Sequence, residues 1–255
     1  DAELLMAHAL GISRSEMLLR QADLAVPDGF AGLLERRMGH EPVAYITGRQ
    51  AFWDLELAVT PDVLIPRGDS ETLIEAAVEG QAAECVLDLG TGSGALLLAA
   101  LSAFPQARGI GIDASSAALA VAKGNAERLG FSDRSEWRHA SWHDAGWSDG
   151  LGRFDLILCN PPYVNARSMA ALPAEFRAEP ALALAGGADG MDFVRRLLAD
   201  APTRLAADGL LVLEIGHERT HFDAAFSGLE VIGLPTSAGD DAVLLVTRAG
   251  LEAAR

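Results

Sequence analysis

Apolar and polar positions change their period twice along this chain, dividing it into three stretches. In the first the spacing is helical. DAELLMAHALG carries Leu4, Leu5, Ala7, Ala9 and Leu10, with Gly11 as a C-terminal stop. Ser13 predicts the cap of a second helix over SRSEMLLRQA, with Glu16 three residues on as its capping-box partner. Pro27 to Met38 predicts a third helix, ended by Gly39, and Pro42 breaks the pattern. No strand appears among these helices, so residues 1–48 read as a small helical domain.

From Phe52 the period becomes two. Leu55, Leu57 and Val59 alternate with Glu56, Ala58 and Thr60 as far as Pro61, which predicts a half-buried strand. DVLIPR reads as a second short strand, so residues 49–67 predict a β-hairpin linker. Helical spacing returns in DSETLIEAAVE, with Asp69 or Ser70 as its cap.

Beyond Gln81 strands and helices alternate: CVLDLG, then ALLLAALSAF; ARGIGID, then SSAALAVAKGNAERLG; SEWRHA and FDLILCN; MDFVRRLLADAPTRLA; GLLVLEIG. In the second of these helices Leu119, Ala122, Ala126 and Leu129 form one stripe before Gly130. Such alternation means a parallel sheet with helices on both faces, an α/β fold over residues 68–255. LEVIGLP and DAVLLVTR, separated by the turn-forming SAGD, predict a closing antiparallel hairpin.

Composition narrows the picture. The chain has 255 residues, half of them apolar and 22% charged, enough for a sizeable core and against disorder. A formal net charge of −16 repels phosphate backbones, which argues against stable nucleic-acid binding. The two cysteines, Cys85 and Cys159, fall in apolar strand-like runs and read as buried hydrophobes in a reducing compartment; they make no metal framework. No apolar run is long enough to span a membrane and no signal peptide precedes the first helix. The start at Asp1 rather than a methionine suggests a trimmed N-terminal piece. A soluble, cytoplasmic protein is the expectation.

Candidate chemistry begins at DLGTGSG, Asp88 to Gly94, between the first strand and first helix of the α/β region. Gly90, Gly92 and Gly94 allow a tight turn with close backbone approach to a ligand, and the helix behind it offers unpaired N–H groups. The spacing GxGxG differs from the dinucleotide GxGxxG, and no lysine follows to make a phosphate-binding loop. Asp113 ends the next strand, nineteen residues past Gly94, where a carboxylate accepts both hydroxyls of an unphosphorylated ribose; it also suits an N-cap. Together these residues resemble the class I S-adenosylmethionine-dependent methyltransferases. The resemblance implies a Rossmann-like seven-stranded sheet with a terminal antiparallel strand, and S-adenosyl-L-methionine as cofactor.

The strand FDLILC runs into Asn160, Pro161, Pro162 and Tyr163. In an open sheet that strand end delivers NPPY to the ligand crevice. Methyl transfer to an amide nitrogen needs the NH2 group held with its lone pair along the methyl–sulfur axis. The Asn160 side-chain oxygen and the Pro161 carbonyl are two acceptors for its N–H groups. The prolines stiffen the backbone and remove donors, and Tyr163 packs on the planar group. Taken alone, the same residues could be a Pro-Pro turn capping a strand.

NPPY occurs in methyltransferases of nucleic-acid adenine and of protein glutamine. DAELLMAHALG, EPVAYITGRQAFWDLELAVTPDVLIPR, LDLGTGSGA, DLILCNPPYV, EPALALAGGADGMDF and LLVLEIG together resemble the release factor glutamine methyltransferase family over nearly the whole chain. That resemblance assigns Gly90, Thr91, Gly92, Ser93, Gly94, Asp113, Trp142 and Asn160 to the cofactor, with Trp142 beside the adenine. It assigns Asn160, Pro161, Pro162 and Tyr163 to the glutamine amide and to catalysis. It implies peptide-chain release factors as partners, methylated on the glutamine of their GGQ loop, and makes residues 1–48 the substrate-docking element. Three stretches depart from the family pattern: PRGDSE where PRPETE is usual, Ser141 where an acid often precedes the adenine aromatic, and SAGDDAV where basic residues are usual. Competing readings are a ribosomal-protein glutamine methyltransferase, an adenine-amine DNA or RNA methyltransferase, and a catalytically silent cofactor-binding module.

Overall fold

The computed structural model describes every residue except Gln81, Ser237, Ala238 and Arg255, and the backbone alone at Gly239 and Asp240. Four helices open the chain: α1 (Ala2–Leu10), α2 (Arg14–Arg20), α3 (Phe30–Met38) and α4 (Val43–Thr47). Gly11 closes α1 at φ 67°, and Ser13 caps α2 by accepting the Glu16 N–H at 3.1 Å. Only that half of the capping box forms, because the Glu16 carboxylate pairs with Arg20 at 2.6 Å. Helix α3 starts three residues later than Pro27, after a turn. Pro42 does not end helical structure; it stands at the N-cap of α4, where its missing N–H costs nothing.

The linker differs from expectation. Its hairpin pairs β1 (Arg49–Phe52) with β2 (Leu55–Ala58) through the two-residue turn Trp53–Asp54, and DVLIPR is not a strand. Trp53 sits at φ 57° without the usual Asn-Gly signal. The turn is fixed from outside instead: the Trp53 N–H donates to Glu71 Oε1 at 2.8 Å and the Ser102 hydroxyl to Asp54 Oδ2 at 2.7 Å. Residues 61–67 form a strap that opens with a turn at Pro61–Asp62. Val63 and Ile65 are buried, which produced the strand-like alternation, but no strand pairs with them: the Val63 N–H closes a turn on Thr60 C=O at 3.1 Å, and two further backbone groups bond to side chains. Val63 C=O accepts the Tyr45 hydroxyl at 2.6 Å, and the Ile65 N–H donates to Glu179 Oε2 at 3.0 Å.

After a 3₁₀ turn at Gly68–Ser70 come α5 (Glu71–Gly80), β3 (Cys85–Leu89), α6 (Ala95–Ala103), β4 (Arg108–Asp113), α7 (Ser116–Leu129), β5 (Ser135–His139) and β6 (Phe154–Cys159). Then follow α8 (Ala166–Ala170), α9 (Asp192–Arg204), β7 (Leu205–Glu214), α10 (Arg219–Ala225), β8 (Ile232–Thr236), β9 (Gly239–Thr247) and α11 (Arg248–Ala253). The short α8, α10 and α11 carry too few turns to register as periodicity.

Strands β3 to β9 form a seven-stranded sheet in the order β5-β4-β3-β6-β7-β9-β8. Five are parallel neighbours and β9 runs antiparallel to both β7 and β8. The expected closing hairpin is therefore present, although its SAGD turn includes Ser237 and Ala238, which lie outside the described residues. Side chains alternate across the sheet: Val86 joins the core under α5 and α6, while Leu87 and Leu89 join the core under α9 and α11. A third cluster of Tyr45, Val59, Val63, Ile65 and Ala118 ties α4 and the strap to α7. Of the cysteines, Cys159 is buried as expected, but Cys85, the first residue of β3, is exposed. No helix among the described residues is long and apolar enough to cross a membrane.

Candidate active site

Strand order reverses between β3 and its neighbours β4 and β6, so the crevice at the carboxyl ends of these strands is where this sheet offers a ligand site. The loop after β3 turns there with Gly90, Gly92 and Gly94 all at positive φ, 73°, 55° and 82°. Its backbone is pinned to β4, since the Gly90 and Thr91 N–H groups both donate to Ile112 C=O, at 2.9 and 3.0 Å. Asp88 lies beneath the loop, fully buried, and accepts the Thr91 hydroxyl at 2.5 Å and the Leu97 N–H at 3.3 Å. Burial pushes its carboxyl up to about 7, against the lowering effect of those two bonds.

Asp113 faces the loop across the crevice. Its Oδ2 accepts the Gly92 N–H and its Oδ1 the Ser115 N–H, each at 2.8 Å. Burial raises its pKa, and the same backbone bonds hold the rise down. A carboxylate accepts about four hydrogen bonds, so both oxygens keep capacity for a ligand. A cavity of about 120 Å³ opens here, lined by Gly90, Gly92, Asp113, Trp142, Asn160 and Pro162 among others. Trp142 closes one side, packed against Phe193 with ring centroids 5.1 Å apart and planes tilted by 52°. A Cβ placed on Gly90 would stand 3.5 Å from the Trp142 ring and 3.9 Å from Asn160 C=O, so the bare glycine keeps this space open.

The remaining loop residues stand behind the cavity. Thr91 is turned to Asp88, Ser93 is buried with its C=O accepting from Asn125 at 2.9 Å, and Gly94 packs against Trp137. Asn125 also donates to Ala58 C=O and accepts the Ala58 N–H, at 3.0 and 2.8 Å, which clamps the hairpin to the glycine loop.

A second cavity, about 370 Å³, lies on the other side of Asn160 and is lined by Asn160, Pro161, Tyr163, Glu214, Arg67 and Phe176 among others. The NPPY residues thus divide between the cavities: Pro162 faces the first, Pro161 and Tyr163 the second, and Asn160 both. Leu64 of the strap also lines both. The strap is held by Glu179, 6% exposed, which accepts from the Ile65 N–H and pairs with Arg67.

The GGADGMDF segment supports NPPY from behind. The Val164 N–H donates to Leu184 C=O and the Gly186 N–H to Val164 C=O, both at 2.9 Å. A Cβ on Gly186 would meet Pro162 C=O at 2.6 Å, and one on Gly190 would meet Tyr163 C=O at 2.2 Å. Tyr163 donates its hydroxyl to Glu214 Oε1 at 2.9 Å, and Ser70 donates its own to Glu214 Oε2 at 2.6 Å. Asn160 Nδ2 lies 3.1 Å from Ser70 Oγ. Ser70 therefore serves the site rather than capping α5. Burial raises the pKa of Glu214, opposed by the Ser70, Tyr163 and Asn160 bonds, and raises that of Tyr163 well above its usual range.

Sequence reasoning missed Ser70, Glu214, Leu64, Glu179 and Phe193. Glu214 carried a signal, being the one acid within the apolar run GLLVLEIG. Among the departures, PRGDSE supplies Ser70 to Asn160 and Glu71 to the hairpin turn, and Ser141 Oγ accepts the His143 N–H at 3.2 Å. Of SAGDDAV, Asp241 pairs with Arg219 at 3.2 Å.

Comparison with known proteins agrees with this architecture. Residues 1–48 match the PrmC N-terminal domain and residues 81–186 a methyltransferase domain. The chain is 46% identical to the ribosomal protein uL3 glutamine methyltransferase of Bordetella pertussis, over 85% of this chain and 74% of that one. It is 43% identical to the release factor glutamine methyltransferase of Cereibacter sphaeroides, over 94% of this chain and 83% of that one. Among solved structures, a methyltransferase from Pyrococcus furiosus aligns with a TM-score of 0.56 at 18% identity, covering 86% of this chain and 98% of that one, which supports the fold. At these identities and over these lengths, the chain is a methyltransferase and belongs to the release factor glutamine methyltransferase family.

Proposed function

We propose that this protein methylates the side-chain amide nitrogen of a glutamine in a protein, using S-adenosyl-L-methionine, and that its substrate is the GGQ glutamine of peptide-chain release factors. One observation carries the reading: Asn160 stands in the wall between two cavities, one edged by the glycine loop and Asp113, the other by Pro161 and Tyr163.

The first cavity suits the methyl donor. Asp113 retains acceptor capacity for a ribose diol, the glycine loop leaves space for a ligand chain, and Trp142 offers an aromatic face to an adenine. When bound, S-adenosylmethionine supplies an electrophilic methyl group. What this chain adds is position. An amide nitrogen is a poor nucleophile because its lone pair is delocalised, and it needs orientation rather than a strong base. The Asn160 side-chain oxygen and the Pro161 carbonyl accept the two N–H groups of the glutamine, and the Tyr163 ring packs on its plane. Donors are scarce where acceptors are needed, since both prolines lack an N–H. Residues 1–48 dock the protein substrate, residues 49–67 link and strap the site, and residues 68–255 hold the chemistry. Leu4, Leu19 and Met38 stand exposed on three of these helices.

The identity to a uL3 enzyme supports a second reading, a glutamine of ribosomal protein uL3. Both are tested by incubating the protein with methyl-labelled donor and either release factor or uL3, each with its Gln→Ala variant. Label on wild-type release factor and not on its GGA-loop variant is the expected result, with a one-methyl mass shift on the glutamine. Label on uL3 alone would move the substrate to the second reading. Label on both GGQ and GGA forms would overturn glutamine specificity.

A further inference from the structure

An amide side chain has nearly the same shape either way round, so packing alone does not decide whether Asn160 presents its oxygen or its NH2 group to a ligand. The decision has to come from a hydrogen-bond partner of known polarity. The nearest such partner is Ser70, 3.1 Å from Asn160 Nδ2, and the Glu214 carboxylate behind it also draws on the Asn160 amide. A serine hydroxyl has one proton, and the Ser70 proton points at Glu214 Oε2, 2.6 Å away. Glu214 takes the Ser70 hydroxyl on one oxygen and the Tyr163 hydroxyl on the other, and so stands as the acceptor in both bonds. With its proton given to Glu214, Ser70 has only lone pairs left for Asn160, and so takes the N–H of the amide. The Asn160 oxygen is then turned away from Ser70. The second Glu214 oxygen takes the Tyr163 hydroxyl at 2.9 Å, which fixes that ring as well.

The fold places these groups together. Register pairs Cys159 of β6 with Leu213 of β7, so Asn160, just past the end of β6, lies beside Glu214, the last residue of β7. Glu214 is 5% exposed and Ser70 3%, so neither exchanges this bond freely for water. Ser70 arrives from the 3₁₀ turn that follows the strap, which makes the orientation of Asn160 depend on the linker being seated.

We propose that Glu214, acting through Ser70, is a positioning residue that fixes the Asn160 amide with its oxygen toward the substrate and holds Tyr163 in register with it. This rests on the assignment of Asn160 as an acceptor for the substrate amide. Neither Ser70 nor Glu214 touches the reacting atoms in this scheme.

The test uses the full chain and whichever of release factor or uL3 it methylates. Ser70→Ala is expected to lower kcat about tenfold or more, the size expected when a buried amide loses the bond that orients it. KM for the protein substrate and Kd for the methyl donor should change less than twofold. Ser70→Thr, which keeps the hydroxyl, should restore kcat to within about threefold, whereas Ser70→Val, which fills the same space without a hydroxyl, should not. In an Asn160→Ala background, Ser70→Ala should cost less than twofold more, because its target is gone. Unfolding midpoints for each variant exclude loss of fold as the cause. An equal loss on adding Ser70→Ala in both backgrounds would overturn the inference, as would full turnover in Ser70→Ala beside a crippled Asn160→Ala. Full turnover in Asn160→Ala would overturn the reading of Asn160 itself, and this inference with it.

Discussion

Replacing Asp88 by asparagine should change how the stability of this protein depends on pH, with a sign and size fixed by burial. Asp88 is 0% exposed and, among the described residues, its Oδ1 has no hydrogen-bond partner. Burial lifts its pKa from the usual 3.8 to about 7, with Asp113 and Cys159 the other titratable groups facing it. The native state therefore holds a proton that the unfolded chain has already released across this window. Stability contributed by Asp88 is complete below 3.8 and falls as pH rises toward about 7. At 1.36 kcal/mol per pH unit, the charged form costs roughly 4 kcal/mol above the window, and about 3 kcal/mol of that appears between pH 5 and pH 8. Asparagine keeps a carbonyl for the Thr91 hydroxyl but cannot ionise. Urea unfolding of both proteins from pH 5 to pH 8 reads the effect directly. Wild type should lose about 3 kcal/mol relative to Asp88→Asn over that range. Parallel curves for the two proteins would refute the reasoning, because they would mean that Asp88 titrates normally.

Three further outcomes follow from the geometry. Asp113→Ala should raise the Kd for S-adenosylmethionine about a hundredfold by titration calorimetry, since hydrogen bonds to a charged group contribute roughly 1.5–3 kcal/mol each. Asn125→Ala removes the partner of Ala58 N–H, Ala58 C=O and Ser93 C=O at once. It should destabilise the fold by about 3 kcal/mol in chemical denaturation, loosening the hairpin from the glycine loop. Gly190→Ala puts a Cβ 2.2 Å from Tyr163 C=O at φ 81°, so it should cost about 2 kcal/mol or more and depress turnover by displacing NPPY. A fully active Gly190→Ala with an unchanged melting temperature would contradict the role given to the GGADGMDF segment.

The sequence by itself determined whatever rests on short-range chemistry. Short apolar runs located the central parallel strands, which are buried on both faces, and period-3.6 spacing the long helices, which bury one stripe. GxGxG with Asp113, and NPPY at a strand end, were legible because backbone conformation and strand position restrict which residues serve there. Local pattern failed where long-range partners decided. DVLIPR alternates like a strand, yet its backbone bonds went to Tyr45 and Glu179, the latter 114 residues from Ile65. The hairpin formed with RQAF because Glu71 and Ser102 hold a turn that Trp53–Asp54 would not favour alone. Ser70 reads as a helix cap from its neighbours, and only the adjacency of β6 and β7 brings Glu214, 144 residues away, to claim its proton. The motif marks the proposed reacting centre; in the scheme proposed above, the tertiary structure decides which way its amide faces, because that choice rests on a proton held between residues no local pattern connects.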